Sequence, residues 1–200
     1  GYAAGVYELI IRGATVYGLA GGRHEIVDVA VQGGSIARID SQITAPARTE
    51  MDASGMRLIP GGIDLHVHLR SPGHPQKEDW ASGTRAAAAG GITTVCDMPN
   101  TDPPTTDWET LVQKRGLAAE NARVHFGLYM GATRENLDHI LRLEDQGRGP
   151  LAIKAYLGAS TGSLLLDDYK LLEDWFRNVR ALVAVLAEDE ELLKQAHVQF

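Results

Sequence analysis

The segment GGIDLHVHLR, residues 61–70, decides the fold and indicates the chemistry. It reads as a buried strand, and successive side chains of a strand point to opposite faces, so His66, His68 and Arg70 are expected to share one face. Imidazole nitrogens are suitable ligands for zinc and similar divalent ions, and a guanidinium binds anions. The segment therefore predicts a metal site at the end of a strand, with an anion-binding group just beyond it.

From Ile59 onward, apolar runs of strand length alternate with segments of helical character, which is typical of parallel strands joined by helices. Five such units fit the first five-eighths of a (β/α)₈ barrel, a fold that needs about 250 residues, and the carboxyl ends of its strands carry the working residues. The fold class predicted is α/β, a partial and incomplete (β/α)₈ TIM-like barrel over residues 59–200. Strands are predicted near 62–68, 92–97, 122–129, 151–157 and 181–187, and helices near 77–89, 107–120, 133–145, 168–178 and 189–197.

Residues 1–58 have a different character. Short alternating or apolar runs, such as YELIIRGATV at 7–16 and DVAVQGGSIARI at 28–39, are broken by glycine pairs. This pattern predicts hairpins of a small N-terminal antiparallel β-segment, part of a small β-sandwich domain.

Composition limits the functional class. Apolar residues make up 44% and charged residues 22% of the 200 residues, as in an ordinary globular protein, and the net charge of −7 argues against a nucleic-acid surface. No apolar run approaches the ~20 residues that a membrane span needs. The single cysteine, Cys96, cannot form an internal disulfide, which favours a cytoplasmic location.

Two further residues admit two interpretations from the sequence alone. Lys154 lies inside the predicted strand of LAIKAYLGASTG, where it either extends to the strand's edge or becomes a carbamate that bridges two cations. Asn100, in PNTDPP, is either a turn residue or an amide donor at the end of the second strand.

Four segments together resemble dihydroorotase, a cyclic amidohydrolase of the amidohydrolase superfamily: IPGGIDLHVHLRSPG, KEDWASGTRAAAAGGITTVCDMPNT, IKAYLGASTGSLLL and AEDEELL. The H-x-H pair occurs in many amidohydrolases, whereas H-x-H-x-R combined with M-P-N-T is much more specific. The resemblance implies that His66 and His68 are metal ligands and that Lys154 is the carbamylated lysine bridging two zinc ions. It also implies that Arg70 and Asn100 hold the substrate carboxylate. Residues 1–58 then correspond to the family's N-terminal β-segment, and 59–200 to the first five βα units of its barrel.

The sequence departs from the family's pattern in two places. The ligand histidine of the fifth strand should precede AED, but VAVLAEDE has Leu186 there, which makes a second zinc site doubtful. The family's sixth-strand histidine and its aspartate base are expected beyond Phe200, so the catalytic residue is unknown.

The function implied is metal-dependent, reversible ring opening of dihydroorotate to N-carbamoyl-aspartate in pyrimidine biosynthesis. The alternatives are another cyclic amidase, a hydantoinase or an allantoinase, and a catalytically impaired homologue that acts as a structural partner. The implied partners are a small-molecule substrate, further copies of the chain in a homo-oligomer, and aspartate transcarbamoylase.

Overall fold

The computed structural model describes residues 5–18, 22–158 and 164–199. The chain divides between Pro60 and Gly61 into two compact units, one N-terminal and one C-terminal. Within the described residues, no helix has the length and apolar character needed to cross a membrane.

The N-terminal unit is a five-stranded sheet in the order β3-β2-β1-β4, with β5 also paired to β1. Strand β1 pairs antiparallel with β2, and β2 with β3, as the hairpin pattern predicts. However, β4 and β5 run parallel to β1, so the sheet is mixed rather than antiparallel. The β2–β3 hairpin occupies one edge of β1. After β3 the chain crosses to the free edge of β1, where β4 and β5 run in the same direction as β1. The strands are Tyr7–Val16 (β1), Glu25–Gln32 (β2), Ser35–Asp40 (β3), Ala47–Asp52 (β4) and Arg57–Leu58 (β5).

A buried carboxylate joins the strands of this unit. The side chain of Asp28 accepts hydrogen bonds from the backbone N–H groups of Ile43 and Gly13, each at 3.0 Å, and pairs with Arg12 at 2.8 Å. Burial alone would raise the pKa of Asp28, but these three donors outweigh it and hold the pKa below its usual value.

The C-terminal unit is a curled sheet of five parallel strands in the order β10-β9-β8-β7-β6, with a helix between each pair of successive strands. This is the strand-helix alternation that the sequence predicts. The elements are Gly62–Val67 (β6), Trp80–Ala89 (α1), Ile92–Asp97 (β7), Trp108–Asn121 (α2), His125–Gly131 (β8), Leu137–Asp145 (α3), Ala152–Tyr156 (β9), Tyr169–Asn178 (α4), Leu182–Leu186 (β10) and Glu190–Gln199 (α5).

The two faces of this sheet have different neighbours. Side chains such as Val95, Met130 and Ile153 pack in the main core with buried helix residues that include Trp80 and Trp175. On the opposite, inward face, a smaller cluster contains Cys96, Met98, Tyr129 and Ala152, with Ala184 packed against it. Because side chains alternate along a strand, Lys154 and Tyr156 lie on the inward face together with Ala152.

Candidate active site

The two histidines of the opening segment lie close together at the end of β6. Val67, between them, packs toward the main core, so both imidazoles stand on the opposite side of the chain. Their ring centroids are 5.2 Å apart, with the ring planes tilted by 56°. His66 is exposed and His68 is partly buried. The structure therefore brings together the two residues that the sequence predicts as metal ligands.

His68 is also joined to Asn100. Its Nδ1 lies 2.8 Å from Asn100 Oδ1. With a carbonyl oxygen as acceptor, Nδ1 carries the proton, and Nε2 keeps the lone pair with which an imidazole binds a metal ion. Burial lowers the pKa of His68, and the positive charge of Arg70 lowers it further, although the contact with Asn100 acts in the opposite direction. The net effect favours the neutral imidazole, which is the form that binds a metal ion.

Arg70 differs from its predicted geometry. The prediction that it continues the alternation of His66 and His68 is wrong, because β6 ends at Val67 and Arg70 has a left-handed backbone with φ 58°. Its carbonyl accepts a hydrogen bond from the N–H of His74 at 2.8 Å, closing a turn. The guanidinium nevertheless stays near the site, since its charge lowers the pKa of His68. Its role toward a substrate remains a prediction.

The loop that follows Arg70 is held against the loop that follows Asn100. The N–H of Asp102 donates to the carbonyl of Pro72 at 3.2 Å. Gly73 has φ +108°, and a Cβ at this position would lie 2.5 Å from Asp102 Cβ and 2.8 Å from its backbone N and O atoms. Only glycine permits this approach.

A buried ion pair that the sequence prediction missed lies beneath these loops. Asp97, at the end of β7, contacts Lys114 of α2 at 2.5 Å, and both side chains are fully buried. The other oxygen of Asp97 accepts the N–H of Leu69 at 2.7 Å, and Lys114 Nζ donates to the carbonyl of Met98 at 2.7 Å. A sequence signal existed: Lys114 occupies the buried face of α2 together with Leu111 and Ala118.

Lys154 lies on β9 with only 4% of its surface exposed. Burial lowers the pKa of its amine, and Nζ lies 5.4 Å from the ring centroid of Tyr156. Within the described residues, Lys154 has no ion pair with a carboxylate, in contrast to Lys114. Among these described residues, no hydrogen bond or ion pair connects Lys154 to His66 or His68.

Tyr156 is a third residue that the prediction missed, although it follows Lys154 by two positions on the same face. It is 3% exposed, and its hydroxyl is buried with no hydrogen-bond partner in the described part of the chain. Burial raises its pKa, the negative charge of Asp97 adds to this, and the positive charge of Arg70 opposes it. Tyr156 thus lies within the electrostatic reach of both the Asp97 carboxylate and Arg70.

Leu186 is the partner of Tyr156 in the parallel pairing of β9 and β10, so it is expected on the inward face. Its carbonyl accepts the N–H of Leu157 at 3.0 Å, and its side chain is partly buried. That Leu186 stands in the place of a histidine ligand remains a prediction, and its partly buried aliphatic side chain is also consistent with ordinary packing.

The donor set is compatible with a divalent ion, and His66, His68 and Lys154 remain its predicted ligands. Two imidazoles, one with its Nε2 lone pair directed by Asn100, are borderline ligands that suit zinc, and a buried amine whose pKa is lowered can carry a carbamate. No group of three or more His, Cys, Asp and Glu side chains that could hold a metal occurs among residues 5–18, 22–158 and 164–199. Zinc is therefore a prediction from the donor types.

Comparison with known proteins identifies the family. The dihydro-orotase-like family model matches residues 55–153. This stretch belongs to the dihydro-orotase-like family. An allantoinase from Rubrobacter xylanophilus is 39% identical over 188 residues, which cover 92% of this chain and 40% of the relative. A dihydroorotase from Methanosarcina mazei is 37% identical over 170 residues, covering 82% of this chain and 36% of the relative.

A third relative of this family, the multifunctional protein CAD of Squalus acanthias, is 43% identical over 136 residues, which cover 66% of this chain and 6% of that protein. Among solved structures, the L-hydantoinase from Arthrobacter aurescens superimposes with a TM-score of 0.86 at 27% identity, covering 96% of this chain and 43% of that one. The predicted resemblance and the partial barrel are thus confirmed. The chain spans about two-fifths of the length of the allantoinase and hydantoinase relatives.

Proposed function

We propose that the protein catalyses metal-dependent hydrolysis of a cyclic amide and that its substrate is dihydroorotate, which it opens reversibly to N-carbamoyl-aspartate. The observation that supports this most is the 2.8 Å contact between His68 and Asn100. It joins a predicted metal ligand to a residue predicted to hold the substrate carboxylate. A bound substrate would then have its carboxylate at Asn100 and its reacting ring at the metal ion that His68 holds, next to Asn100.

His66 and His68 would hold one divalent ion, and a carbamate on Lys154 would supply oxygen ligands. When bound, the ion polarises the amide carbonyl and lowers the pKa of a water molecule. The protein's own contribution is positional: Asn100 fixes the tautomer and orientation of His68, and burial lowers the pKa of Lys154, which favours the neutral amine that reacts with CO₂. The base that accepts the proton has no candidate among these residues.

Arg70 and Asn100 favour a substrate with a free carboxylate. A guanidinium offers a planar pair of N–H donors that match a carboxylate, and the amide nitrogen of Asn100 is a further donor. Dihydroorotate has such a carboxylate, whereas hydantoin and allantoin do not. Fixing the ring by its carboxylate would hold the scissile amide in place. Such positioning is a major source of rate acceleration in enzymes.

Two alternatives are each favoured by one observation. The 39% identity to an allantoinase supports a cyclic amidase for a substrate without a carboxylate. The presence of Leu186 on the inward face supports an impaired homologue that acts as a structural partner, for which the similarity to the multifunctional protein CAD suggests a setting. The cytoplasmic location and the homo-oligomer remain predictions.

Ring-opening assays of the full-length protein on dihydroorotate, allantoin and hydantoin, with zinc supplied, test the proposal. We expect turnover of dihydroorotate well above that of the other two compounds. Preferential turnover of allantoin or hydantoin would replace the proposed substrate. Failure to turn over any of the three, in a protein shown to bind zinc, would favour the structural partner.

A further inference from the structure

The carboxylate of Asp97 connects the ends of the two strands that carry the candidate site. It belongs to β7, yet its Oδ1 accepts the backbone N–H of Leu69, the residue between His68 and Arg70. A second link runs the other way, since the N–H of Met98 donates to the carbonyl of Val67 at 2.9 Å. The backbone on both sides of His68 is therefore attached to the end of β7.

Lys114 fixes the other side of this connection. Its Nζ contacts Asp97 Oδ2 and donates to the carbonyl of Met98, two residues before Asn100. One ammonium group from α2 thus holds both the carboxylate that reaches β6 and the backbone that leads to Asn100. Asp97, Lys114 and the backbone groups of Leu69 and Met98 are called the clasp below.

A contribution to stability does not by itself explain the clasp. Both of its side chains are fully removed from solvent, and burying two charges costs desolvation that their attraction often does not repay. Apolar side chains of similar volume usually serve a core as well or better. What apolar side chains cannot supply is a hydrogen-bond acceptor for Leu69 and a donor for Met98.

We propose that Asp97 and Lys114 are positioning residues, which hold the backbone around His68 and Asn100 so that the two side chains meet. The geometric claim stands on the clasp alone, and its consequence for catalysis rests on the proposed function. Neither residue touches the substrate in this scheme. They act through the contact between His68 and Asn100.

The experiment uses heteronuclear NMR of the 200-residue chain, without metal or substrate. Two signals report on the site: the ring nitrogens of His68, which reveal the Nδ1–H tautomer, and the hydrogen-exchange rate of the Leu69 amide. The test variant is Asp97→Leu combined with Lys114→Met, which removes the acceptor for Leu69 and the donor to the Met98 carbonyl and leaves no buried charge. The matched control is Leu111→Ala, which opens a cavity on the same buried face of α2 and leaves the clasp intact.

We expect the double variant to fold, to lose the single Nδ1–H tautomer of His68, and to exchange the Leu69 amide at least tenfold faster than the wild-type chain. Leu111→Ala should lower the melting temperature but leave the His68 ring signals unchanged. A folded double variant with wild-type signals at both positions would overturn the proposal. An equal change of the His68 ring signals in Leu111→Ala would overturn it too, because the effect would then be general loosening.

If the double variant does not fold, Asp97→Asn carries the test. It keeps an acceptor for Leu69 but removes the charge that holds Lys114, so the His68 signals should shift while Leu69 stays protected. Unchanged His68 signals in this variant would refute the positioning role. Because no readout involves turnover, a wild-type protein that opens no ring would overturn the proposed function and leave the clasp standing.

Discussion

The imidazole Nδ1 of His68 lies 2.8 Å from Oδ1 of Asn100, so the ends of β6 and β7 meet through side chains at the candidate site. The contact assigns the proton of His68 to Nδ1 and leaves Nε2 as the metal-binding nitrogen. Asn100 thus acquires a role in orienting His68, in addition to the carboxylate contact that the resemblance implies.

Replacing Asn100 with leucine should weaken zinc binding about 10–100-fold, because the hydrogen bond that orients a metal-ligating histidine is lost. Competition with a chromogenic chelator measures the dissociation constant. The control is Asn121→Leu, which removes an exposed asparagine whose side chain caps the carbonyl of Leu117 at 2.9 Å. An unchanged zinc affinity in the Asn100 variant would show that the contact does not orient a ligand.

Arg70→Lys should weaken dihydroorotate binding by about tenfold or more, since a point charge replaces a planar pair of donors and one charge-assisted hydrogen bond, worth ~1.5–3 kcal/mol, is lost. Calorimetric titration of the zinc-loaded protein measures the effect. Arg134→Lys changes an exposed arginine that pairs with Asp167 and should bind dihydroorotate as the wild-type protein does. Equal affinity of the Arg70 and Arg134 variants would refute the assignment of Arg70.

The N-terminal unit should lose stability in acid through Asp28. Burial opposes ionisation of this carboxyl, but the N–H of Ile43, the guanidinium of Arg12 and the N–H of Gly13 together hold its pKa below the usual value. A carboxyl with a depressed folded-state pKa contributes stability above its unfolded pKa of about 3.9, and the contribution disappears as the pH falls through the folded-state pKa.

The measurement for Asp28 is urea unfolding between pH 7 and pH 2, followed at the amides of Gly13 and Ile43. Asp28→Asn should be less stable than the wild-type protein at pH 7, and the difference should shrink below about pH 4. Glu120→Gln, at an exposed position of α2, serves as the control and should keep the wild-type profile. A constant difference between the Asp28 variant and the wild-type protein across this range would contradict the account.

Leu186→His should raise the zinc content of the protein without lowering its melting temperature, if Leu186 stands in the place of a ligand on the inward face. The neighbouring Val185 packs toward the main core, so Val185→His provides a matched control. The control should bury an unpaired imidazole at a cost of roughly 1–3 kcal/mol and add no zinc. If both variants lose stability and neither gains zinc, Leu186 is ordinary packing.

Much of the barrel unit follows from periodicity. The strand predicted at 92–97 coincides with β7, because the apolar run is bounded by Gly91 and by the proline that follows Met98. Helix starts were predicted less well. Helix α1 begins at Trp80 rather than at 77, because Asp79 accepts the N–H of Ser82 at 2.6 Å as its N-cap.

The candidate site was only partly predictable. The side-by-side position of His66 and His68 follows from the sequence, whereas the direction of Arg70 depends on a left-handed backbone that a strand pattern does not reveal. The burial of Lys114 could have been inferred from its place on the apolar face of α2. Its pairing with Asp97 could not, because spacing along the chain does not tell which strand end a helix residue meets.

The zinc stoichiometry of the purified chain tests the central claim most directly, with the wild-type chain measured beside a His66→Gln, His68→Gln double variant. A His24→Gln, His125→Gln variant, which changes two exposed histidines, is the control. We predict about one tightly bound zinc ion, held by His66 and His68, in the wild-type and control chains, and none in the double variant. Absence of bound zinc from the wild-type chain, or full retention in the double variant, would contradict the account.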